Sequence, residues 1–232
     1  MGGVDTMSKP KLLDLFCGAG GAGVGYQRAG YEVTGVDVEA HPDSPHPVII
    51  ADALSILTET AFLRQFVVIH ASPPCQGYTT MSNRWRGNGG AADSHPDLIS
   101  FVRLGLQAWG GLYVIENVCG ARRELREPIL LRGAMFGLGV DRPRLFESNV
   151  SLLAPPILSR VAEPVGVYGK LDGRRLFTRK DGSIQRAART LEEAQAAMGI
   201  GWMQWSDLTE SIPPAYTEYI GGQLLEHLAA VA

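Results

Sequence analysis

A chain of 232 residues is long enough for one large domain, or for one domain with a small appendage. Apolar residues make up 45% and charged residues 19%, and no run of about 18 apolar residues exists, so a spanning helix is excluded. The net charge of −3 hides an asymmetry: residues 1–121 carry a net −4, residues 122–189 a net +7, and residues 190–232 a net −6. A basic middle segment between acidic flanks suits a polyanion, and a solvated arginine-rich surface is the competing reading.

The three cysteines, Cys17, Cys75 and Cys119, are widely separated and lack paired metal-ligand spacing. They argue against a disulfide framework or a zinc site and fit a reducing cytoplasm, where a reactive thiol survives. Residues 1–10 lack an apolar signal core and read as a disordered leader. Residues 11–153 then read as a catalytic and cofactor-binding α/β domain, 154–188 as an insert, and 189–232 as helices completing the domain.

Lys11–Phe16 reads as a first strand, Cys17–Gly23 as a glycine-rich turn, and Val24–Gly30 as the opening of a helix. Strand, glycine turn and helix form the first unit of a nucleotide-binding α/β sheet, with glycines allowing close approach of the backbone to a ligand. Tyr31–Asp37 reads as a second strand ending in an acid about 20 residues beyond the turn, where a carboxylate grips ribose hydroxyls. A phosphate-binding lysine motif is absent and the turn is not a clean dinucleotide fingerprint, so a nucleoside cofactor without phosphate fits better than a dinucleotide. Val48–Ala53 reads as a short third strand. Its Asp52 is either an acceptor for an adenine amino group or a helix N-cap.

A helix is expected over Leu54–Gln65, and a buried strand over Phe66–Ile69. Pro73 and Pro74 stiffen the turn that follows, and Cys75 comes straight after it, at the sheet edge where open α/β sheets bind ligands. That thiol is either aimed at a substrate or packed under a loop. Residues 81–92 show no apolar period and read as a mobile loop in which Arg84 and Arg86 meet phosphates.

Leu98–Trp109 has the spacing of a packing helix and Leu112–Val118 that of a strand. Glu116 near its end is either a proton donor with a raised pKa or half of a buried ion pair. Pro128–Phe136 reads as a short helix and turn, and Val140–Glu147 as a strand in which Arg142 and Arg144 share one face. Residues 157–189 contain two Asp-Gly turn signals among Lys170, Arg174, Arg175, Arg179 and Lys180, and read as one or two basic hairpins that contact substrate. Thr190–Gly199 is a capped helix with a glycine stop, and a last helix runs from Pro213 to about Ala230.

In this order the pieces resemble the cytosine-C5 DNA methyltransferase family over nearly the whole chain. The carriers are Asp14-Leu15-Phe16-Cys17-Gly18-Ala19-Gly20-Gly21, Pro74-Cys75-Gln76, Glu116-Asn117-Val118, the Arg142/Arg144 pair, Arg189–Glu193, and Pro214-Ala215-Tyr216 onward. The resemblance implies a Rossmann-like sheet with a small recognition insert. It also implies S-adenosyl-L-methionine held by Asp14, Phe16, Cys17, Gly18, Gly20, Gly21, Asp37, Val38, Asp52, Ala53 and Pro74. Catalysis falls to Cys75, Glu116, Arg144 and Arg142, with no metal. Duplex DNA with a flipped cytosine would be touched by Gln76, Tyr78, Arg84, Arg86 and the basic insert residues.

The chain departs from the family at Val140, where a glutamine is frequent, and at Gly77-Tyr78-Thr79. It departs again at Gly221-Gly222, where Gly-Asn is usual. That change is expected to leave room near the transferred group, with an altered methyl donor as a consequence to test. The short insert implies brief or relaxed sequence recognition. A monomeric enzyme of the orphan or restriction-modification type is expected. The alternatives are a transfer-RNA cytosine methyltransferase, a catalytically silent DNA-binding subunit, and a metabolic methyltransferase.

Overall fold

The computed structural model describes residues 8–74, 98–157, 163–178 and 184–231. Its main sheet has seven strands in the order β3-β2-β1-β4-β5-β7-β6. These are β1 (Lys11–Leu15), β2 (Glu32–Asp37), β3 (Val48–Ile50), β4 (Val68–Ala71), β5 (Leu112–Val118), β6 (Ile129–Leu131) and β7 (Arg144–Ser148). β1 to β5 pair in parallel, while β7 runs antiparallel to both β5 and β6. The strands are near-continuous apolar runs because both faces are covered. On one face Leu13, Leu15, Ile69 and Ile115 pack with α4 (Leu98–Trp109). On the other, Leu12, Val33, Val68 and Val114 pack with α1 (Gly21–Ala29) and α7 (Pro214–Val231). This is the Rossmann-like α/β architecture expected of the sequence.

Several local expectations are corrected. α1 begins at Gly21, earlier than expected, because its glycines serve helix packing. A Cβ on Gly21 would lie 1.9 Å from Ser211 Oγ, and one on Gly25 would lie 2.0 Å from Thr217 Oγ1. Only glycine lets α7 and the segment before it press this closely on α1, and tertiary contact overrides low propensity. The helix expected over Leu54–Gln65 is two short ones, α2 (Ala53–Ile56) and α3 (Thr60–Leu63). Between them the Thr58 hydroxyl donates to Ser55 O (2.7 Å), a local bond that competes with helix continuation.

The short helix expected within Pro128–Phe136 is instead edge strand β6, followed by one 3₁₀ turn over Gly133–Met135. The three apolar residues 129–131 have no period of their own, and pairing with β7 decides the matter. β7 starts at Arg144, so Arg142 lies outside the strand with φ +31 and the two arginines do not share a strand face. Pro143 between them ends the ladder.

The insert folds as a three-stranded sheet, β8 (Val165–Gly166), β10 (Ile184–Ala187) and β9 (Arg175–Thr178), in that order. β9 and β10 form one antiparallel hairpin, while β8 lies parallel to β10. The first Asp-Gly signal is a turn closed by Asp172 accepting from Arg174 N–H (3.1 Å) rather than a second hairpin. Val165, Val167 and Ala188 share a buried cluster with Ala194 and Met198 of α5 (Leu191–Met198) and Leu208 of α6 (Trp205–Glu210). The insert is therefore packed into the helical segment that follows it.

Candidate functional site

A cavity of about 410 Å³ opens at the carboxyl ends of β1, β2, β4 and β5, the edge at which open α/β sheets hold ligands. Its lining includes Asp14, Phe16, Cys17, Gly18, Gly21, Asp37, Val38, Ala53 and Pro74, together with Glu116 and Arg144. Most of the expected cofactor residues thus meet in one place with two of the expected catalytic ones. Gly20 and Asp52 stand apart from that lining. Gly20 packs against Ser44 and His46, and Asp52 caps α2, accepting from Leu54 N–H (3.1 Å) and Ser55 Oγ (3.0 Å). Of the two readings of Asp52, the cap is the one observed.

The glycine turn is held as a cradle. Gly18 takes φ +48 with open space where a Cβ would be, and its N–H donates to Asp37 Oδ2 (2.9 Å). Asp37 Oδ1 accepts from Glu39 N–H (3.1 Å), so this carboxylate is fixed with further lone pairs directed to the cavity. Phe16, beside it, is held at φ 60. Such backbone is uncommon for a bulky residue and gathers at functional sites.

Asp14 is fully buried, and among the described residues neither carboxylate oxygen has a well-aligned hydrogen-bond partner. Burial pushes its pKa up to about 8, with Asp37 and Glu116 adding repulsion, while the Gly23 amide pulls the other way. An unpaired buried carboxyl on a cavity wall is expensive unless a ligand completes it.

Glu116 is 5% exposed. Its Oε1 lies 3.0 Å from Arg144 Nε, at ion-pair distance but without an aligned hydrogen bond. Burial raises its pKa, and Arg144, Ser72 and Arg142 oppose the rise. Glu116 is therefore half of a buried ion pair, and its pKa is raised where it faces a cavity. Arg142 differs from Arg144. Its guanidinium donates to Ser211 O (2.9 Å), Thr209 O (2.6 Å) and Val167 O (3.2 Å). Those bonds tie the end of α6, the residue after it and the residue after β8 to the sheet edge, so Arg142 is a clamp on the cavity wall.

Asn117, beside Glu116, was not singled out by sequence reasoning. Its Nδ2 donates to Pro73 O (2.9 Å) and its Oδ1 accepts from Val118 N–H (2.9 Å), anchoring the Pro-Pro turn to β5. Its place within Glu-Asn-Val was the available signal. A second omission is the wall made by Asp207, Thr209, Glu210, Ser211 and Ile212. Gly221 and Gly222 do not line the cavity. A Cβ on Gly221 would meet Ala29 Cβ at 2.7 Å, so this glycine serves the contact of α7 with α1. The room expected near the transferred group is accordingly not found there.

Cys75, Gln76, Tyr78, Arg84, Arg86, Arg179 and Lys180 lie outside the described residues. Lys170, Arg174 and Arg175 are exposed on the insert and do not line the cavity. Among the described residues no group of three His, Cys, Asp or Glu side chains suits a metal ion, and no helix is long and apolar enough to cross a membrane.

No protein-family model matches the chain. It is 22% identical over 252 residues to the Type II methyltransferase M.XorII of Xanthomonas oryzae pv. oryzae, covering 94% of this chain and 54% of that protein. It is 32% identical over 126 residues to the Type II methyltransferase M.AquIA of Picosynechococcus sp., covering 47% and 49%. The chain thus spans about half the length of these curated relatives. Among solved structures, a DNA modification methyltransferase encoded within an E. coli prophage superposes with a TM-score of 0.64 at 16% identity, covering 95% of this chain and 99% of that one. S. pombe Dnmt2 methyltransferase gives 0.60 at 13% identity, covering 95% and 99%. Relatives and neighbours alike are methyltransferases, and the fold is the Rossmann-like fold that their structures share.

Proposed function

We propose that the chain is an S-adenosyl-L-methionine-dependent DNA cytosine-5 methyltransferase. The observation that carries this reading is Glu116, a buried carboxyl of raised pKa beside Arg144, in the same cavity as Asp14, Asp37 and the Gly18 cradle. The cofactor fits those residues. Asp37 suits ribose hydroxyls, the open face of Gly18 admits close approach, and the orphaned Asp14 carboxyl suits a cationic group. When bound, the cofactor supplies an electrophilic methyl group at carbon 5 of cytosine.

The chain's own residues do the rest. The Cys75 thiolate adds to carbon 6, and the electron pair of the carbon 5–carbon 6 double bond shifts into the ring. Glu116 gives its proton to ring nitrogen 3, so that no negative charge builds there. Arg144 holds the base carbonyl and the Glu116 carboxyl together. Asn117, through Pro73, fixes the Pro-Pro turn that precedes Cys75 in the sequence. Loss of the carbon 5 proton then expels Cys75 and restores the double bond. The target base must leave the duplex stack for any of this. Gln76, Tyr78, Arg84 and Arg86 are assigned to the DNA, with Lys170, Arg174, Arg175, Arg179 and Lys180 on the insert. A recognition sheet of three short strands supports a brief or relaxed target sequence.

The test is transfer of labelled methyl from S-adenosylmethionine to mixed-sequence duplex DNA, with bisulfite sequencing of the product and Cys75→Ala alongside. Label at cytosine that vanishes in the variant supports the reading and reveals the target sequence. Label on transfer RNA and none on DNA moves the substrate to RNA.

A further inference from the structure

Three polar side chains, two of them below the cavity and one on its wall, take no part in the chemistry described above. His70 is fully buried in β4, between the apolar neighbours Val68 and Ile69 and the strand end. Tyr26 on α1 is also fully buried. The Tyr26 hydroxyl lies 3.0 Å from His70 Nδ1, and His70 Nε2 lies 2.9 Å from Ser72 Oγ. Strand register continues the line. His70 is level with Val114, and Ala71 with Ile115, so Ser72 comes level with Glu116. Side chains two apart on a strand share a face, and neighbouring parallel strands align those faces. Ser72, Glu116 and Arg144 all line the one cavity.

The His70 ring packs against Tyr26 with centroids 5.3 Å apart, a contact that an apolar aromatic side chain would make as well. A buried imidazole costs free energy unless both ring nitrogens are satisfied, and here both are. We infer that Tyr26, His70 and Ser72 form a buried hydrogen-bond chain that positions the Glu116 carboxyl for proton donation. This inference rests on the reading of Glu116 as the proton donor.

The chain has a direction. Burial pushes the His70 pKa down to about 3, so the ring is neutral and carries a single N–H. Among the described residues the Tyr26 hydroxyl has no hydrogen-bond partner except His70. Tyr26 O–H therefore donates to Nδ1, the proton of His70 sits on Nε2 and donates to Ser72 Oγ, and the Ser72 hydroxyl is left to donate toward Glu116. A donor held on a carboxylate favours its charged form, in keeping with the downward pull of Ser72 on Glu116. Glu116 also faces Arg144, Arg142 and Asp14, and Tyr26 faces Asp14 and Tyr31. Arg144 thus takes the Oε1 side of the carboxyl while Ser72, just beyond β4, constrains its orientation. His70 and Ser72 are positioning residues, since each acts through Glu116.

The test uses the full chain with its glutamate side-chain carboxyls labelled with carbon-13. The Glu116 signal, assigned by its loss in Glu116→Gln, is titrated by NMR in the wild type, Ser72→Ala, Ser72→Thr and His70→Gln. Removing the hydroxyl is expected to raise the Glu116 midpoint by roughly one pH unit, and Ser72→Thr is expected to restore it. His70→Gln, which keeps polar atoms in the chain but breaks its direction, is expected to shift the midpoint the same way by less. In methyl transfer, the alkaline limb of kcat moves to higher pH with Ser72→Ala while KM for DNA stays constant. A Glu116 midpoint unmoved by Ser72→Ala, with or without a fall in rate, overturns the inference. The titration needs no turnover, so absence of methyl transfer in the wild type sinks the functional reading and leaves the chain separately tested.

Discussion

Replacing Asp14 with asparagine keeps the shape of the side chain and removes its charge. In the native protein the Asp14 pKa is pushed up to about 8 from an ordinary 3.8. Below about pH 4 the carboxyl is protonated in both native and unfolded chains and has no effect on the pH dependence. Between those values the native state holds a proton that the unfolded state has released. Stability therefore falls as pH rises, by about 1.4 kcal/mol per unit. Above pH 8 the loss is complete. From pH 5 to pH 8 the wild type should lose on the order of 4 kcal/mol through this one group, an upper figure because water entering the cavity lessens it. Asp14→Asn escapes that loss. For a chain of this size 1 kcal/mol moves Tm by about 2–4 °C. The variant should therefore match the wild type below about pH 4, lead it by a few degrees at pH 5, and widen that lead by roughly ten degrees between pH 5 and pH 8. Thermal unfolding of both proteins across that range measures it. S-adenosylmethionine should stabilise the wild type more at pH 8 than at pH 5, and should stabilise the variant little at either. A Tm difference between the proteins that does not change with pH would refute the assignment of an unpaired, charge-sensitive Asp14.

Two other outcomes follow from the packing. Gly25→Ala places a Cβ 2.0 Å from Thr217 Oγ1 and 2.2 Å from Pro214 O; it should destabilise by about 3 kcal/mol, whereas Gly222→Ala, whose Cβ meets nothing within 4 Å, should be neutral or stabilise by about 0.5–1 kcal/mol in denaturant unfolding. Arg142→Ala removes three donors from backbone carbonyls and frees the wall at Thr209 and Ser211; calorimetry should find S-adenosylmethionine bound roughly tenfold more weakly, with a loss of about 2–3 kcal/mol of stability.

The parts of this molecule that could be read from the sequence are those where one local pattern decides the outcome. The apolar runs of β1, β2 and β5, the spacing of α4, and the Thr190 cap with its Gly199 stop all appear where their residues placed them. So do the cavity residues at strand ends, Asp14, Asp37 and Glu116, because strand order fixes which edge they share. What could not be read depends on residues far away in the chain. Gly21 lines the cavity as expected, but that it also serves, with Gly25 and Gly221, the packing against α1 shows only when α7 and the segment before it are seen pressed there. The clamp that Arg142 makes on the carbonyls of Val167, Thr209 and Ser211 has no local signature, because those residues are 25 or more positions away. The wall at Asp207–Ile212 is made by the end of a six-residue helix and the two residues after it, with no apolar period to announce it.

The most direct test of the account is a covalent trap. Duplex DNA carrying 5-fluorocytosine at the mapped target cannot lose its carbon 5 substituent as a proton, so the bond from Cys75 to carbon 6 cannot be released after methyl transfer. With S-adenosylmethionine the wild type should form a protein–DNA adduct that survives denaturing electrophoresis, and Cys75→Ser should form none. Methylation of ordinary duplex DNA with no adduct on the fluorinated one, or an adduct that persists in Cys75→Ser, would contradict it.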